Sequence, residues 1–275
     1  MPYPRSASRI GGILFFCLCG AILMQKEAII LKEAIETTPV IEAFESGDEC
    51  PFCYLERWAE QRAINYVAGP CASYMEPEIR AITDQFGFCG GHLKKLYDYG
   101  NALGVALMMQ THFLDLNQEL DKHLTTAPGK RKLFSKPEES ELSRLLRKRN
   151  SSCYLCNRLE GSMNRYFATF FTLIKKPDFR QKVEESKGFC FRHFQQLLEL
   201  APEQLPNAQH AWFYDTVPAV FKNNLTRVQG DLDWFIAKFD YRNASADWKN
   251  SRDAVSRSMQ KLQGLHPADP PYKKD

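Results

Sequence analysis

Apolar positions along this chain recur at helical spacing wherever they cluster. Met163, Phe167, Phe170, Phe171 and Ile174 fall at steps of three and four, the period of one face of an α-helix. Leu103, Leu107, Gln110 and Leu114 make a second stripe, which Met109, Phe113, Leu116 and Leu120 widen into a broad face expected to be buried. Near the C-terminus Leu232, Phe235, Ile236 and Phe239 repeat the pattern. Runs of β-branched alternation bounded by turns are missing. The pattern predicts an all-α fold: two helical modules packed as one bundle.

The two modules follow from an internal repeat. Cys50-Pro51-Phe52-Cys53 is followed by Gly87-Phe88-Cys89-Gly90-Gly91-His92. Cys153-Tyr154-Leu155-Cys156 is followed by Gly188-Phe189-Cys190-Phe191-Arg192-His193, at offsets of 103 residues for the first cysteines and 101 for the histidines. Pro77-Glu78-Ile79-Arg80 answers Pro177-Asp178-Phe179-Arg180, and Leu55-Glu56 answers Leu159-Glu160 with a small slip. Self-similarity at a fixed period marks a duplication. We therefore divide the chain into an apolar leader (1–23), a first module (24–124), a basic polar linker (125–152), a second module (153–264) and a Pro-rich, charged tail (265–275), whose composition predicts disorder.

Cysteine and histidine at these spacings suit a metal. Zinc takes four ligands in a tetrahedron; Cys-x-x-Cys supplies two sulfurs and Cys-x-x-His the other two. Each copy holds a full Cys3His set, so the expectation is one ion per copy, two in all, with Cys50, Cys53, Cys89 and His92 around one and Cys153, Cys156, Cys190 and His193 around the other. Pairing across the copies remains open and would place both ions between the halves. Each half-site is expected to open a helix, whose free N–H groups and dipole favour thiolates. Gly87 and Gly188 allow the sharp entry, with Phe88 and Phe189 anchored beneath. An iron–sulfur cluster, or thiols without metal, are the alternatives to zinc. A complete ligand set points to a closed, structural site rather than a catalytic one.

Composition adds less. A net charge of +3 implies no partner. From Lys122 to Arg149, however, nine Lys/Arg stand against three Glu, enough to raise nucleic-acid binding as an alternative to a solvated linker. Cys71 has no counterpart in the second copy and is read as a buried or loop thiol; His112 and His123 lack cysteine neighbours and are read as ordinary helix residues. Arg80 and Arg180 read as serving each repeat's own fold rather than an anion site. Asp240-Tyr241-Arg242-Asn243 and Trp248 form either a loop packed back on the bundle or a binding surface, since Tyr, Trp and Arg favour interfaces. Arg5 and Arg9 precede an uncharged apolar run, Ile10 to Met24, short of the roughly 20 residues of a membrane span. It reads as sequence ahead of a start at Met24, as a signal or anchor that would make the protein secreted or membrane-anchored, or as a buried helix. No stable membrane insertion is expected.

The motifs together resemble a bacterial family catalogued only as a domain of unknown function. The resemblance rests on both cysteine–histidine strings, Met75-Glu76-Pro77, Gln110-Thr111-His112, and the run from Leu232 through Trp234 and Lys238 to Asn243. It implies cytoplasmic proteins of gram-positive bacteria beginning near Met24, and no activity. No nucleophile, acid–base pair or phosphate loop is legible. The function expected is that of a non-enzymatic, zinc-stabilised adaptor or regulator with an unknown protein partner; nucleic-acid binding through the linker and thiol redox sensing are the alternatives.

Overall fold

The computed structural model describes residues 35–70, 73–124 and 139–264. The apolar leader, Cys17, Cys19, Cys71, the first half of the basic linker and the tail lie outside the described residues. Among the described residues there are eleven α-helices and no strand. They are α1 (35–45), α2 (Pro51–Ala68), α3 (Pro77–Phe86), α4 (Gly90–Tyr99), α5 (Ala102–Leu124), α6 (Glu141–Ser151), α7 (Tyr154–Leu173), α8 (Pro177–Glu185), α9 (Phe191–Gln204), α10 (His210–Ala237) and α11 (Ala254–Gln263). The all-α expectation holds. Pro51, Pro77 and Pro177 each occupy a first helical turn, where a missing N–H costs nothing.

The centre of the bundle is the packing of α2 on α7. Phe52, at the start of α2, stacks on Phe167 toward the end of α7, with centroids 4.4 Å apart. Tyr154 and Leu155, at the start of α7, cluster instead with Ala63, Ile64 and Val67 at the end of α2. The two helices therefore run antiparallel, and the bundle has two apolar clusters, one at each end. The first gathers Phe44, Phe52, Phe167, Phe170, Phe179 and Phe189. Phe44 lies edge-on to Phe179 at 5.0 Å, a favoured aromatic geometry. Met163, Phe167, Phe170, Phe171 and Ile174, the stripe read on α7, are all buried.

The stripe read on α5 is not. Leu103, Phe113 and Leu114 are 68%, 61% and 57% exposed, while only Gly104 and Met108 are buried. Among the described residues, a helix 23 residues long packs mainly on α3, with lesser contacts to α4 and α6, and periodicity says that a face exists, not that something covers it. Leu107, Met109, Leu116 and Leu120 are half-buried. The stripe closing α10 divides the same way: Leu232 and Phe235 are half-buried, Ile236 and Phe239 exposed.

Candidate metal centres

All four half-sites sit at helix starts. Cys50, Cys89, Cys153 and Cys190 are the N-cap residues of α2, α4, α7 and α9. The second residue of each half-site follows three positions on, one turn into the helix, so both side chains face the same way. The Cys190 sulfur accepts the His193 N–H at 3.5 Å, and the Cys153 sulfur accepts the Cys156 N–H at 3.5 Å. Gly87 and Gly188 enter their turns at φ +59° and +76°, conformations that favour glycine. A side chain at Gly87 would also strike the His112 ring at 2.9 Å.

The eight residues come together as two groups of four, but crosswise. Site I is Cys50, Cys53, Cys190 and His193; site II is Cys89, His92, Cys153 and Cys156, each with its donor atoms within 4.8 Å of one another. The expectation that each copy keeps its own set is thus corrected: each Cys-x-x-Cys meets the other copy's Cys-x-x-His. The antiparallel α2–α7 pair is the reason. Helices of 18 and 20 residues are about 27 and 30 Å long, and each carries its cysteine pair at its N-terminal end. The short α3 and α8 extend only about 15 Å from the opposite ends, so each Cys-x-x-His forms beside the other helix's start.

The geometry fits a tetrahedral ion. With zinc–ligand bonds of about 2.3 Å to sulfur and 2.05 Å to nitrogen, tetrahedral neighbours lie about 3.8 Å apart for two sulfurs and about 3.6 Å for sulfur and nitrogen. In site I the His193 Nδ1 lies 3.4, 3.4 and 3.3 Å from the sulfurs of Cys50, Cys53 and Cys190, and Cys53 lies 3.6 Å from Cys190. In site II the His92 Nδ1 lies 3.2, 3.3 and 3.4 Å from Cys89, Cys153 and Cys156, and Cys89 lies 3.8 Å from Cys156. A ring nitrogen has one proton or one lone pair, so it serves one of three sulfurs by hydrogen bonding; a shared cation serves all four. Either group could hold a metal ion.

A carboxylate of α2 stands behind each ring, within hydrogen-bond reach in site II alone. The His92 Nε2 lies 3.0 Å from Glu60, which also takes Lys95 at 2.5 Å. The His193 Nε2 lies 3.8 Å from Glu56, which Arg192 grips with both guanidinium nitrogens. A carboxylate behind a ligating imidazole fixes its tautomer and raises its basicity. Glu56 and Glu60 were not legible as partners in the sequence; the available signal was their spacing of four on the helix that follows the cysteine pair.

The surroundings of the two sites differ. Site I is sealed, its four residues no more than 1% exposed. The Lys261 ammonium of α11 donates to the carbonyls of Glu49 and Lys187, both at 2.5 Å, tying together the two backbone turns that enter site I. Burial lowers the pKa of Lys261, against the pull of Glu49. At site II Cys89 is half-buried and Cys156 exposed. There the tie between the halves is the Tyr154 N–H, which donates to the Gly87 carbonyl at 2.9 Å. A proline could not make that bond, which accounts for Tyr154 standing where the first copy has Pro51.

Protons occupy both groups in the absence of a cation. Burial opposes a charge on Cys153, yet the His92 ring and backbone N–H groups draw this thiol down to about 6. Burial likewise opposes charge on His92, but its bonds to Cys153 and Glu60 lift it to about 10. Burial and the Cys153 sulfur push Cys156 up to about 12. In site I, hydrogen bonds to Cys50 and Cys53 lower Cys190, and those to Cys190 and Cys50 raise Cys53. At pH 7 His92 and Cys156 are thus both protonated, and both protons must leave when a metal binds. Apparent affinity at site II should therefore rise at least about 100-fold per pH unit, with metal lost on acidification. Competition with a chromophoric chelator at pH 6.5 and 7.5 measures this, and a flat response contradicts it.

The remaining sequence candidates lie apart from both groups. Arg80 and Arg180 each donate Nε to the carbonyl six residues upstream, of Tyr74 at 2.8 Å and of Ile174 at 2.6 Å. Tyr241 is 85% exposed beside exposed Phe239, but Arg242 is engaged with Asp240 at 2.6 Å and Asn243 with the Ala237 carbonyl at 2.9 Å. Trp248 packs on Phe235 at 5.9 Å, with the Lys238 ammonium 5.1 Å from its ring. Of the basic linker, α6 docks on α5 through Arg149, which pairs with Asp115 and Glu119. No helix among the described residues is long and apolar enough to cross a membrane.

The chain is 22% identical over 207 residues to an "uncharacterized 23.9 kDa protein in xynA 3'region" of Caldicellulosiruptor sp. (strain Rt8B.4), covering 74% of this chain and 88% of that one. No solved structure matches. A family model described as "family of unknown function (DUF6062)" matches residues 31–269, which take in both cysteine–histidine groups and every described helix, and the chain belongs to that family.

Proposed function

We propose that this chain is a non-enzymatic helical protein in which two zinc ions lock two duplicated modules, residues 24–124 and 153–264, into one interlocked unit. The observation that carries this reading is the crosswise closure of two Cys3His groups. Four protein ligands leave no open coordination position for substrate or water, which separates structural zinc from catalytic zinc. Zinc is favoured over iron because one histidine per site replaces the fourth thiolate of a typical cluster. Thiolate-rich sites of this kind persist in a reducing compartment, so we place the protein in the cytoplasm.

We further propose that such a scaffold acts as an adaptor or regulator for a protein partner, with the segment carrying Tyr241, Arg242, Asn243 and Trp248 as its contact surface. Support comes from the exposed Tyr241, Phe239 and Ile236 at the end of α10. Nucleic-acid binding is the weaker reading, since Arg149 of the basic segment is occupied by Asp115 and Glu119.

Metal content by mass spectrometry on protein purified without added metal tests the zinc reading. Two zinc ions per chain are expected; iron, or no metal, overturns it. Turnover that depends on one of the eight ligands would overturn the non-enzymatic reading.

A further inference from the structure

We propose that site II is an oxidisable metal site: a peroxide converts Cys156 and Cys89 to a disulfide and expels the ion, while site I keeps its own. The proposal rests on the zinc reading above.

The asymmetry is written in the two residues between cysteine and histidine. In site I these are Phe191 and Arg192. Phe191 packs on Phe221 of α10 at 5.3 Å, and Arg192 lies over the site, bound to Glu56 at 2.7 Å and by a second bond. The end of α11 completes this roof: a side chain at Gly264 would meet the Cys53 sulfur at 3.4 Å and the Arg192 guanidinium at 3.1 Å. In site II the same two positions are Gly90 and Gly91. A side chain built at either would meet nothing within 4 Å. Among the described residues no such roof stands over Cys89, half-buried, and Cys156, exposed, whose sulfurs lie 3.8 Å apart.

Reactivity of a thiolate follows its access. The Cys156 thiolate attacks one oxygen of the peroxide; the O–O bond breaks, leaving a sulfenic acid on Cys156 and releasing hydroxide or alkoxide. The Cys89 thiolate then attacks the Cys156 sulfur; the S–S bond forms, the S–O bond breaks and hydroxide leaves. Two thiolates lose two electrons in total and the peroxide gains them, with water supplying the protons. The ion, left with Cys153 and His92, dissociates.

The test uses the full chain loaded with two zinc ions. Hydrogen peroxide is added in slight excess with a chromophoric zinc chelator present, and the products are mapped by peptide mass spectrometry. One ion should be released promptly with a Cys89–Cys156 disulfide, and the second at least tenfold more slowly. Two variants move the roof. Phe191→Gly with Arg192→Gly should bring release from site I to the rate of site II, and Gly90→Phe with Gly91→Arg should slow site II tenfold. Loss of both ions at one rate, or first oxidation of Cys50, Cys53 or Cys190, overturns the proposal and leaves the zinc reading intact. Protein that carries no zinc at the outset overturns both.

Discussion

Cys190→Ser is expected to reduce the zinc content from two ions per chain to one and to lower unfolding stability by about 5 kcal/mol. The estimate follows from what site I connects. Its contacts join residues 137 to 143 positions apart, and a crosslink closing a loop of roughly 100 residues stabilises by about 4.7 kcal/mol through the unfolded chain alone. Against a typical total of about 5–15 kcal/mol, that loss leaves a marginal protein. The ligand also lies in a fully buried place, where water cannot take over the vacated position. Cys156→Ser should cost less: its contacts close loops of 64 and 67 residues, which lowers the loop contribution by only about 0.7 kcal/mol, but the position faces solvent, so water can complete the tetrahedron. Urea unfolding followed by circular dichroism, with zinc content measured on the same samples, compares the two. Equal losses would contradict the distinction between a closed and an open site.

The second large effect concerns the halves themselves. A protease site placed between Leu124 and Glu139 and then cut should leave two pieces that elute together while zinc is bound. Added chelator should weaken their association at least 1,000-fold, about 4 kcal/mol. Each group draws two of its four residues from each piece, so on the zinc reading removing both ions deletes two bridges at once. The aromatic packing of Phe52 on Phe167 remains as the residual attraction. Size exclusion at micromolar concentration, with and without chelator, reads the result. If the pieces stay together without metal, the apolar core rather than the ions holds them.

All eight residues of the two groups were legible in the sequence, because residue type and spacing are what coordination demands. Their partition was not, because both partitions make two Cys3His sets. What decides between them is the length of α2 and α7 and the shortness of α3 and α8, a signal present in the chain but carried by element lengths. The stripe on α7, read only as a helix face, is core, whereas that on α5, expected to be buried, is largely not: Phe113 and Phe167 sit in equally periodic patterns, and only tertiary packing tells them apart. The α11 clamp was invisible, since Lys261 gives no sign in sequence of being buried. The Gly90-Gly91 and Phe191-Arg192 difference was in plain view, but it acquires meaning only once Arg192 is seen over Cys53.

Crosswise closure also imposes an order in time. A ribosome adds about 5–20 residues per second, so Cys50, Cys53, Cys89 and His92 emerge several seconds before Cys153. For that interval the nascent chain offers three cysteines and one histidine of the first copy with no partner from the second. An ion captured then would be held in the arrangement the finished protein does not use. Neither group of four is complete before Cys156 for site II and His193 for site I. On the zinc reading proposed above, metal loading would be a late step, coupled to the meeting of α2 and α7 rather than to the folding of either half.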